Sequence, residues 1–299
     1  MKYYIFLVLA VLFWSGNFIF GRYISSSIEP VQLSFFRWFF VLVLLLPYIL
    51  INYKNLILGL KKDSMILLVF SGLGIAGFNT FLYYGLQTTT ATNALLINSS
   101  TPIFIILISS LIFKVAITKV QILGVLLSTL GVLYLILKGN INHIFELHFN
   151  PGDLWIILAA LDWALYSVLL RYKPKELTSF EFLTITTVIG VIMLFFVFIY
   201  QGFSLEFSFS ENKDVLYSLI YIVIFPSILS FYFWNKATIE IGANKAGQSA
   251  HIMPVFGAIL AYIFLDEVMQ FYHVIGMIFI AIGIYLTMFF KKAAKIWIE

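Results

Sequence analysis

The sequence predicts an all-α integral membrane protein with ten transmembrane helices, arranged as two inverted five-helix repeats. Three observations predict this fold: the composition, ten long apolar stretches, and the recurrence of the same residues in both halves of the chain. Hydrophobic residues make up 62% of the 299-residue chain and charged residues only 11%. Soluble domains contain about 45–50% apolar and about 25% charged residues, so we expect this chain to lie in a lipid bilayer.

Each apolar stretch is long enough for one helical crossing. The hydrocarbon core of a bilayer is about 30 Å thick and requires about 20 apolar residues in a helix. Uninterrupted stretches of this length favour helices over the short alternating strands of a membrane barrel. The predicted spans are, in chain order, Tyr3 to Gly21, Pro30 to Ile51, Met65 to Leu86, Ala91 to Phe113, Thr118 to Leu137, Asp153 to Leu170, Ser179 to Tyr200, Val215 to Asn235, Ala246 to Leu265 and Gln270 to Phe290.

Residues of the first half recur in the second half at nearly one offset. Because each repeat holds an odd number of spans, the second copy must cross the membrane in the opposite sense. We therefore expect residues 1–140 and 141–299 to form the two repeats of one transmembrane domain. Such repeats suit a protein with two mirror-related states, one open to each side. The matches are Trp14 and Arg22 with Trp163 and Arg171, 149 residues later, and Pro102, Gly124 and Gly131 with Pro254, Gly276 and Gly283, 152 residues later.

The first span is expected to be a permanent helix rather than a cleaved secretory signal. Lys2 precedes it and Ser25, Ser26 and Ser27 follow it, an arrangement that resembles a signal peptide. Its repeat partner, Asp153 to Leu170, lies in the middle of the chain, where no leader is removed. The repeat therefore favours a helix that stays in the membrane.

Basic residues segregate to one side of the ten predicted spans. By the positive-inside rule the richer side is cytoplasmic, so both termini are expected in the cytoplasm. The poorer side holds only Arg22, Lys138 and Lys213, and Arg37 lies within the second span. The richer side holds fourteen basic residues, namely Lys2, Lys54, Lys61, Lys62, Lys114, Lys119, Arg171, Lys173, Lys175, Lys236, Lys245, Lys291, Lys292 and Lys295.

Charge and composition exclude several other classes of protein. Topology accounts for the net charge of +4, so no nucleic-acid partner is expected. The chain has no cysteine, which excludes disulfides, thiolate metal sites and thiol catalysis. His143, Glu146 and His148 share a predicted outer loop, but their spacing matches no recognised zinc motif. We expect neither a metal nor a cofactor.

Five segments together resemble the EamA-type drug/metabolite transporters, over nearly the whole chain. The resemblance implies a ten-helix inverted-repeat carrier, usually bacterial, that exports or exchanges small metabolites such as amino acids. One position departs from the pattern, because Glu267 after the ninth span is matched in the first half by Val115. The segments are FWSGNFIFGR, SFFRWFFVLVLLLP, STPIFIILISSLIF, GDLWIILAALDWALYSVLLR and HIMPVFGAILAYIFLDE.

Paired prolines indicate where a binding site lies. Proline cannot donate to the carbonyl four residues earlier, so Pro102 and Pro254 free two carbonyls inside membrane helices. Repeat-matched breaks of this kind point to a central cavity. Polar side chains precede both prolines, and from them we select Asn98, Gln248 and His251 as candidate substrate ligands. The alternative is that each proline kinks a packed helix whose polar neighbours satisfy the gap.

Asp162 is the strongest single candidate, because it lies nine residues from both Asp153 and Arg171, near the bilayer midplane. A carboxylate there costs about 3 kcal/mol or more on insertion scales, which favours a functional role facing the cavity. The sequence leaves open whether Asp162 holds a substrate ammonium, carries a coupling proton, or forms an ion pair with Arg37 or His251. Its repeat equivalent is Phe13.

Helical spacing places further candidates beside this carboxylate. Together they describe aromatic boxes with a few polar atoms, which bind flat rings and organic cations through stacking and cation–π contacts. The alternative is ordinary aromatic packing in a membrane protein rich in aromatic residues. These candidates are Trp14 and Asn17 in the first span, Asn79 and Tyr83 in the third, Trp163 and Tyr166 in the sixth, and Ser230 in the eighth.

The glycines are expected to serve packing, because Gly124 and Gly131, and their partners Gly276 and Gly283, lie seven residues apart on one helix face. Arg22 and Arg171 lie at helix ends, where long basic side chains ordinarily reach the interface.

These observations lead to one functional hypothesis with two rivals. We expect a multi-pass carrier of the bacterial inner membrane that exports amino acids, amines or related, in part aromatic, compounds, or exchanges them for protons. Phosphorylated substrates are disfavoured because anions require several basic groups. No ATP-binding loop is present. One rival is an importer of amines or other nutrients. The other is a membrane-embedded enzyme or receptor-like scaffold, although no cluster of catalytic residues points to an enzyme.

Overall fold

The computed structural model describes residues 1–114, 117–146, 150–209, 211–264 and 270–289, which contain helices and no β-strand. The predicted all-α fold is confirmed. The helices are α1 (Lys2–Tyr23), α2 (Pro30–Lys62), α3 (Ser64–Thr88), α4 (Ala91–Asn98 and Thr101–Phe113), α5 (Lys119–Ile136), α6 (Pro151–Tyr172), α7 (Ser179–Tyr200), α8 (Lys213–Ile241), α9 (Ala243–Gly247, Gln248–Ile252 and Met253–Phe264) and α10 (Phe271–Phe289).

Nine of these helices are long and apolar enough to cross a membrane, counting only the described residues. The ninth predicted span, which is not among these nine, corresponds to α9, which is divided by a 3₁₀ segment, Gln248–Ile252. Because Pro254 cannot donate to Ala250, the regular α-helical pattern is interrupted there. In α4 the helix is interrupted at residues 99–100, and the 152-residue offset relates these to residues 251–252 within the interruption of α9. Both proline-containing spans are therefore broken at equivalent positions.

A second matched irregularity was not predicted from the sequence. Ser71–Gly77 in α3 and Val223–Leu229 in α8 are π-helices of the same length, and each boundary differs by the 152-residue offset. Pro226 lies inside the second segment and cannot donate a backbone hydrogen bond there. Short π segments inside α-helices are frequent at functional sites.

The glycine pairs pack α5 against α10 with a two-fold pattern. A Cβ atom added to Gly131 would lie 2.8 Å from the Gly276 carbonyl oxygen, and one added to Gly124 would lie 2.7 Å from the Gly283 carbonyl oxygen. Because Gly124 is the repeat equivalent of Gly276, and Gly131 of Gly283, the contacts are related by exchange of the two halves. The structure bears out the predicted packing role of these glycines.

The start of α1 and the end of α10 lie on the same side of the helix bundle, since the rings of Tyr4 and Phe289 are 4.9 Å apart. We call this side the terminal face and the other side the opposite face. On the terminal face α2 continues from its predicted end at Ile51 to Lys62. There Gly59 packs against Leu177 of the α6–α7 connection.

Some sequence predictions fall on residues outside the described part of the chain. These are Val115 and Glu267, which mark the departure from the family pattern, His148 of the outer loop, the predicted span ends Leu265 and Phe290, and the basic residues Lys291, Lys292 and Lys295. The neighbouring loop residues Ile141–Glu146 form a short 3₁₀ helix.

Replacing Gly131 by alanine is expected to destabilise the α5–α10 contact by about 1–3 kcal/mol, because the added methyl group meets backbone atoms that cannot move aside. Thermal unfolding of the purified protein in detergent measures the effect. Gly257→Ala is the matched control, since a Cβ atom there has only Leu95 at 3.6 Å. Equal unfolding temperatures for the two variants would contradict the packing role.

Candidate functional site

A cluster of aromatic rings occupies the centre of the bundle, where α1, α6 and α8 meet. The repeat-related Trp14 and Trp163 contact each other edge to face, with ring centroids 4.9 Å apart. Trp234 lies 5.2 Å from Trp14, and Tyr166 stacks on Trp163 at 4.8 Å. Phe231, which was not a candidate from the sequence, packs at 5.2 Å from Trp163. The structure therefore brings together the predicted Trp14, Trp163 and Tyr166 and adds two rings from α8.

The indole N–H groups of Trp14 on α1 and Trp234 on α8 are both hydrogen-bonded within the protein. Trp14 donates to the Pro226 carbonyl oxygen at 2.9 Å, and Trp234 donates to Ser167 Oγ at 3.1 Å. Trp14 thus binds a carbonyl of the π segment in α8. The Trp14 bond joins the two halves of the chain, whereas the Trp234 bond lies within the second half.

Beside the cluster lies Arg37, a fully buried guanidinium group on α2. Its Nη1 donates to Asn17 Oδ1 at 3.2 Å and to Tyr83 Oη at 2.8 Å. Its Nε donates to Ser227 Oγ at 2.7 Å, and its Nη2 donates to the Pro226 carbonyl oxygen at 3.3 Å. Each of these four hydrogen-bond acceptors is a neutral oxygen, and they belong to α1, α3 and α8.

The position of Arg37 fixes what this network connects. It lies seven residues after the start of α2 at Pro30, and therefore about 10 Å below the opposite face. Asn17 and Tyr83 belong to the first repeat, whereas Ser227 belongs to the second. The network consequently ties the two repeats together in the opposite-face half of the membrane.

A Tyr–Asn hydrogen bond occurs once in each repeat, with the two residues exchanged. Tyr83 of α3 donates to Asn17 of α1 at 3.0 Å, and Tyr166 of α6 donates to Asn235 of α8 at 2.9 Å. Tyr166 is 149 residues after Asn17, and Asn235 is 152 residues after Tyr83. The pair in the first repeat is bonded to Arg37, whereas Asn235 Nδ2 is buried with no partner among the described residues.

The interrupted parts of α4 and α9 contact each other at equivalent positions. His251 Nε2 is 2.8 Å from the Ser99 carbonyl oxygen, and these residues are 152 positions apart. Asn98 Nδ2 lies 3.3 Å from the sulfur of Met253. Gln248 is fully buried, and neither of its side-chain polar atoms has a partner within the described residues. The predicted trio Asn98, Gln248 and His251 thus lies at one helix crossing.

Asp162 lies beside α3 rather than beside Arg37 or His251. Its carboxylate faces the backbone N–H of Phe78, next to Gly77 at the end of the π segment. Its Oδ2 is buried without a partner among the described residues. Neither of the two ion pairs considered from the sequence is formed, and the role of this carboxylate stays a prediction.

Two other candidates bond to backbone oxygens instead of forming a shared site. Asn79 donates to the Gly74 carbonyl in the π segment of α3, at 3.2 Å. Ser230 lies 3.2 Å from the Ala10 carbonyl and 3.0 Å from the Phe225 carbonyl. These bonds join α8 to α1 and stabilise the irregular parts of α3 and α8.

The two faces of the bundle differ. At the opposite face α3 and α6 are in backbone contact, since a Cβ atom on Gly85 would lie 3.0 Å from the Gly152 carbonyl oxygen, and buried Asp153 is hydrogen-bonded to Thr89. At the terminal face a cavity of about 650 Å³ lies between α4, α6, α8 and α9. We call it the vestibule. It is lined by Ser109, Phe113, Gln121, Ser167, Val168, Leu170, Arg171, Lys173, Lys175, Thr238, Ile239, Ile241, Gly242, Ala243, Asn244 and Lys245.

Sequence reasoning did not select the Arg37 network or the vestibule as a site. Arg37 was recognised as lying deep in its span, but its partners are distant in sequence and only the fold brings them together. The exchanged Tyr–Asn pair was detectable, because the repeat offset maps Asn17 onto Tyr166 and Tyr83 onto Asn235. A search for identical residues misses such an exchange.

Comparisons with known proteins agree with the fold. The model of the EamA-like transporter family matches residues 1–137 and 150–289. The uncharacterized transporter YyaM of Bacillus subtilis (strain 168) is 28% identical over 284 residues, which cover 95% of this chain and 92% of that protein. An uncharacterized transporter of Archaeoglobus fulgidus is 28% identical over 295 residues, 96% and 97% of the two chains. One solved crystal structure has a TM-score of 0.71 at 18% identity, covering 94% of each chain, a likeness of fold alone.

Arg37→Lys is expected to lower the free energy of unfolding by at least about 2 kcal/mol, because one ammonium group cannot reach all the oxygens that the guanidinium binds. Arg22→Lys is the matched control, since Arg22 donates to two backbone carbonyls through Nη1 alone. Thermal unfolding in detergent compares the two variants. An Arg37→Lys variant as stable as the control would show that the network contributes little.

Proposed function

The chain belongs to the EamA-like transporter family, and we propose that it is a secondary carrier that moves small organic metabolites across the bacterial plasma membrane by alternating access. Family membership makes it a membrane transporter, and the proposal adds the mechanism, the site and the direction. The observation that carries it is the contact of Trp14 with Trp163 at the centre of the bundle. These two residues are repeat equivalents, so they lie where the two mirror-related states share one site.

Alternating access is supported by the contrast between the two faces. The Arg37 network and the contact of Gly85 with Gly152 close the opposite face, while the vestibule lies at the terminal face. A carrier that alternates between mirror-related states must open one face as it closes the other. The Tyr166–Asn235 pair is the repeat counterpart of Tyr83–Asn17, and no described arginine is bonded to it in this state.

The aromatic cluster supports flat or ring-bearing substrates. Indole and phenol rings offer stacking surfaces and bind positively charged groups through their π faces. The remaining candidates, Asn98, Gln248 and His251, supply buried polar atoms at the α4–α9 crossing. Amino acids, amines and related metabolites combine a small polar group with an apolar body and therefore suit this site.

Export coupled to inward proton movement is the proposed direction. It is supported by the positive-inside rule, which assigns the terminal face, and with it the vestibule, to the cytoplasm. Asp162 is the candidate proton carrier because its carboxylate lies within a membrane span and forms no ion pair with a described residue. An unpaired carboxylate within a membrane span ordinarily has a functional role.

Trp14→Ala and Trp163→Ala are each expected to reduce substrate flux at least tenfold, because each variant removes one wall of the shared site. Uptake into proteoliposomes from a panel of radiolabelled amino acids, amines and sugars measures this flux. Trp155→Ala is the matched control, since Trp155 is partly exposed on the outer side of α6 and stacks on Tyr84 away from the cluster. Normal flux in both cluster variants would exclude the proposed site.

Asp162→Asn is expected to abolish flux driven by a pH gradient and to leave substrate counterflow, because an amide cannot carry the proton. Asp214→Asn serves as the control at an exposed carboxylate that accepts a hydrogen bond from Tyr23. The assay is proteoliposome flux with and without a pH gradient. If pH-driven flux persists in Asp162→Asn, the carboxylate has no part in coupling.

A further inference from the structure

The vestibule is lined by four cationic side chains and, among the described residues, by no acidic one. Arg171, Lys173 and Lys175 come from the end of α6 and the loop that follows it, and Lys245 comes from the start of α9. They therefore approach one cavity from two sides. Four like charges around a concave space of about 650 Å³ produce a strong positive potential, because low-dielectric walls focus the field.

Topology alone does not produce this arrangement. The positive-inside rule predicts an excess of basic residues on one face, but not their convergence on one cavity. Other basic residues of the terminal face lie elsewhere. Lys62 forms an ion pair with Glu176 at 2.6 Å, with both side chains more than half exposed. The ion pair neutralises Glu176, which follows Lys175 in the chain. Glu240 lies between the lining residues Ile239 and Ile241 but does not itself line the cavity.

Local contacts hold these cations at the cavity. The Arg171 guanidinium lies over the ring of Phe113, 4.7 Å from its centroid. Lys173 donates to the Pro174 carbonyl at 2.8 Å and to the Leu177 carbonyl. Burial, and then the positive charge of Lys236, lower the pKa of Lys173, and the negative charges of Glu181 and Glu176 offset only part of this shift.

The vestibule also leads to the central site. Its lining includes Ser167, whose hydroxyl accepts the indole N–H of Trp234 in the aromatic cluster. Two further lining atoms, Thr238 Oγ1 and Asn244 Oδ1, are buried without a partner among the described residues. A molecule in the vestibule therefore meets polar groups next to the aromatic cluster.

We propose that the vestibule is a loading site for small organic anions and selects substrates that carry a carboxylate over cationic amines. This inference rests on the proposed function, and it narrows the substrate class to carboxylates and amino acids. Arginine and lysine bind a carboxylate through charge-assisted hydrogen bonds, and arginine can do so with two parallel bonds. An amine of the same size is repelled by the same field.

The absence of cysteine in the sequence allows a direct test of this charge selection. Asn244→Cys places one thiol in the vestibule, and Asn55→Cys places one on the exposed end of α2 at the same face, outside the vestibule. Each thiol is treated with an anionic sulfonatoethyl and a cationic trimethylammonioethyl methanethiosulfonate. Rates are divided by those of a free thiol in solution. The anionic-to-cationic rate ratio then reports the local potential.

We expect this ratio to be about tenfold higher at position 244 than at position 55, and to fall as salt is raised. Lys175→Glu together with Lys245→Glu should abolish the difference, whereas Lys2→Glu together with Lys61→Glu, which leaves Lys54 beside position 55 unchanged, should preserve it. An unchanged temperature of thermal unfolding in detergent shows that each variant is folded. Equal ratios at both positions, or a difference that survives the reversal of Lys175 and Lys245, would refute anion selection.

Two further experiments distinguish anion selection from amine binding and from binding of lipid headgroups. Phenylacetate should slow modification at position 244 and phenethylamine should not, and equal or better protection by the amine would overturn the proposal. Loss of anion selectivity in vesicles containing phosphatidylglycerol, but not in pure phosphatidylcholine, would assign the cations to lipid headgroups and overturn it as well. A thiol at position 244 that reacts with neither reagent, while the thiol at position 55 reacts with both, would show that the terminal face is closed. That result would contradict the proposed function itself, and not only the charge selection.

Discussion

The buried guanidinium of Arg37 constrains the rest of this structure. A cation inside a membrane helix is costly unless its donors are satisfied, and no described carboxylate pairs with it. Four hydrogen bonds to neutral oxygens of Asn17, Tyr83, Ser227 and the Pro226 carbonyl take that role. These oxygens belong to both repeats, so the halves of the protein must pack together here for the charge to be tolerated.

The Pro226 carbonyl connects this network to the aromatic cluster. It accepts hydrogen bonds from both Arg37 and Trp14, and it lies in a π segment where the regular helical pattern is interrupted. The equivalent segment in α3 lies beside Asp162. The two irregular segments thus place polar groups at the centre of an apolar bundle. This arrangement gives the proposed carrier a closed face, a central site and an open vestibule on one path.

A structural feature could be predicted from the sequence when it depends on local backbone geometry, and could not when it depends on the assembly of distant helices. The prolines of α4 and α9 and the glycines of α5 and α10 act through backbone geometry, so their positions alone predicted the breaks and the close contact. Trp14 and Trp163 were found through the repeat. The Arg37 network joins residues up to 190 positions apart, and the vestibule forms only when α4, α6, α8 and α9 assemble. No local pattern contains that information.

Alternating access is tested by the distance between the two repeats at each face, read by spin labels on pairs of introduced cysteines. Thr88→Cys with Glu211→Cys reports the opposite face, and Phe113→Cys with Ile239→Cys reports the terminal face. The added substitution Tyr83→Phe weakens the Arg37 network without removing its charge. Alternating access requires the first distance to lengthen and the second to shorten in the Tyr83→Phe background. Two distances that stay constant, or that change in the same sense, would contradict the account.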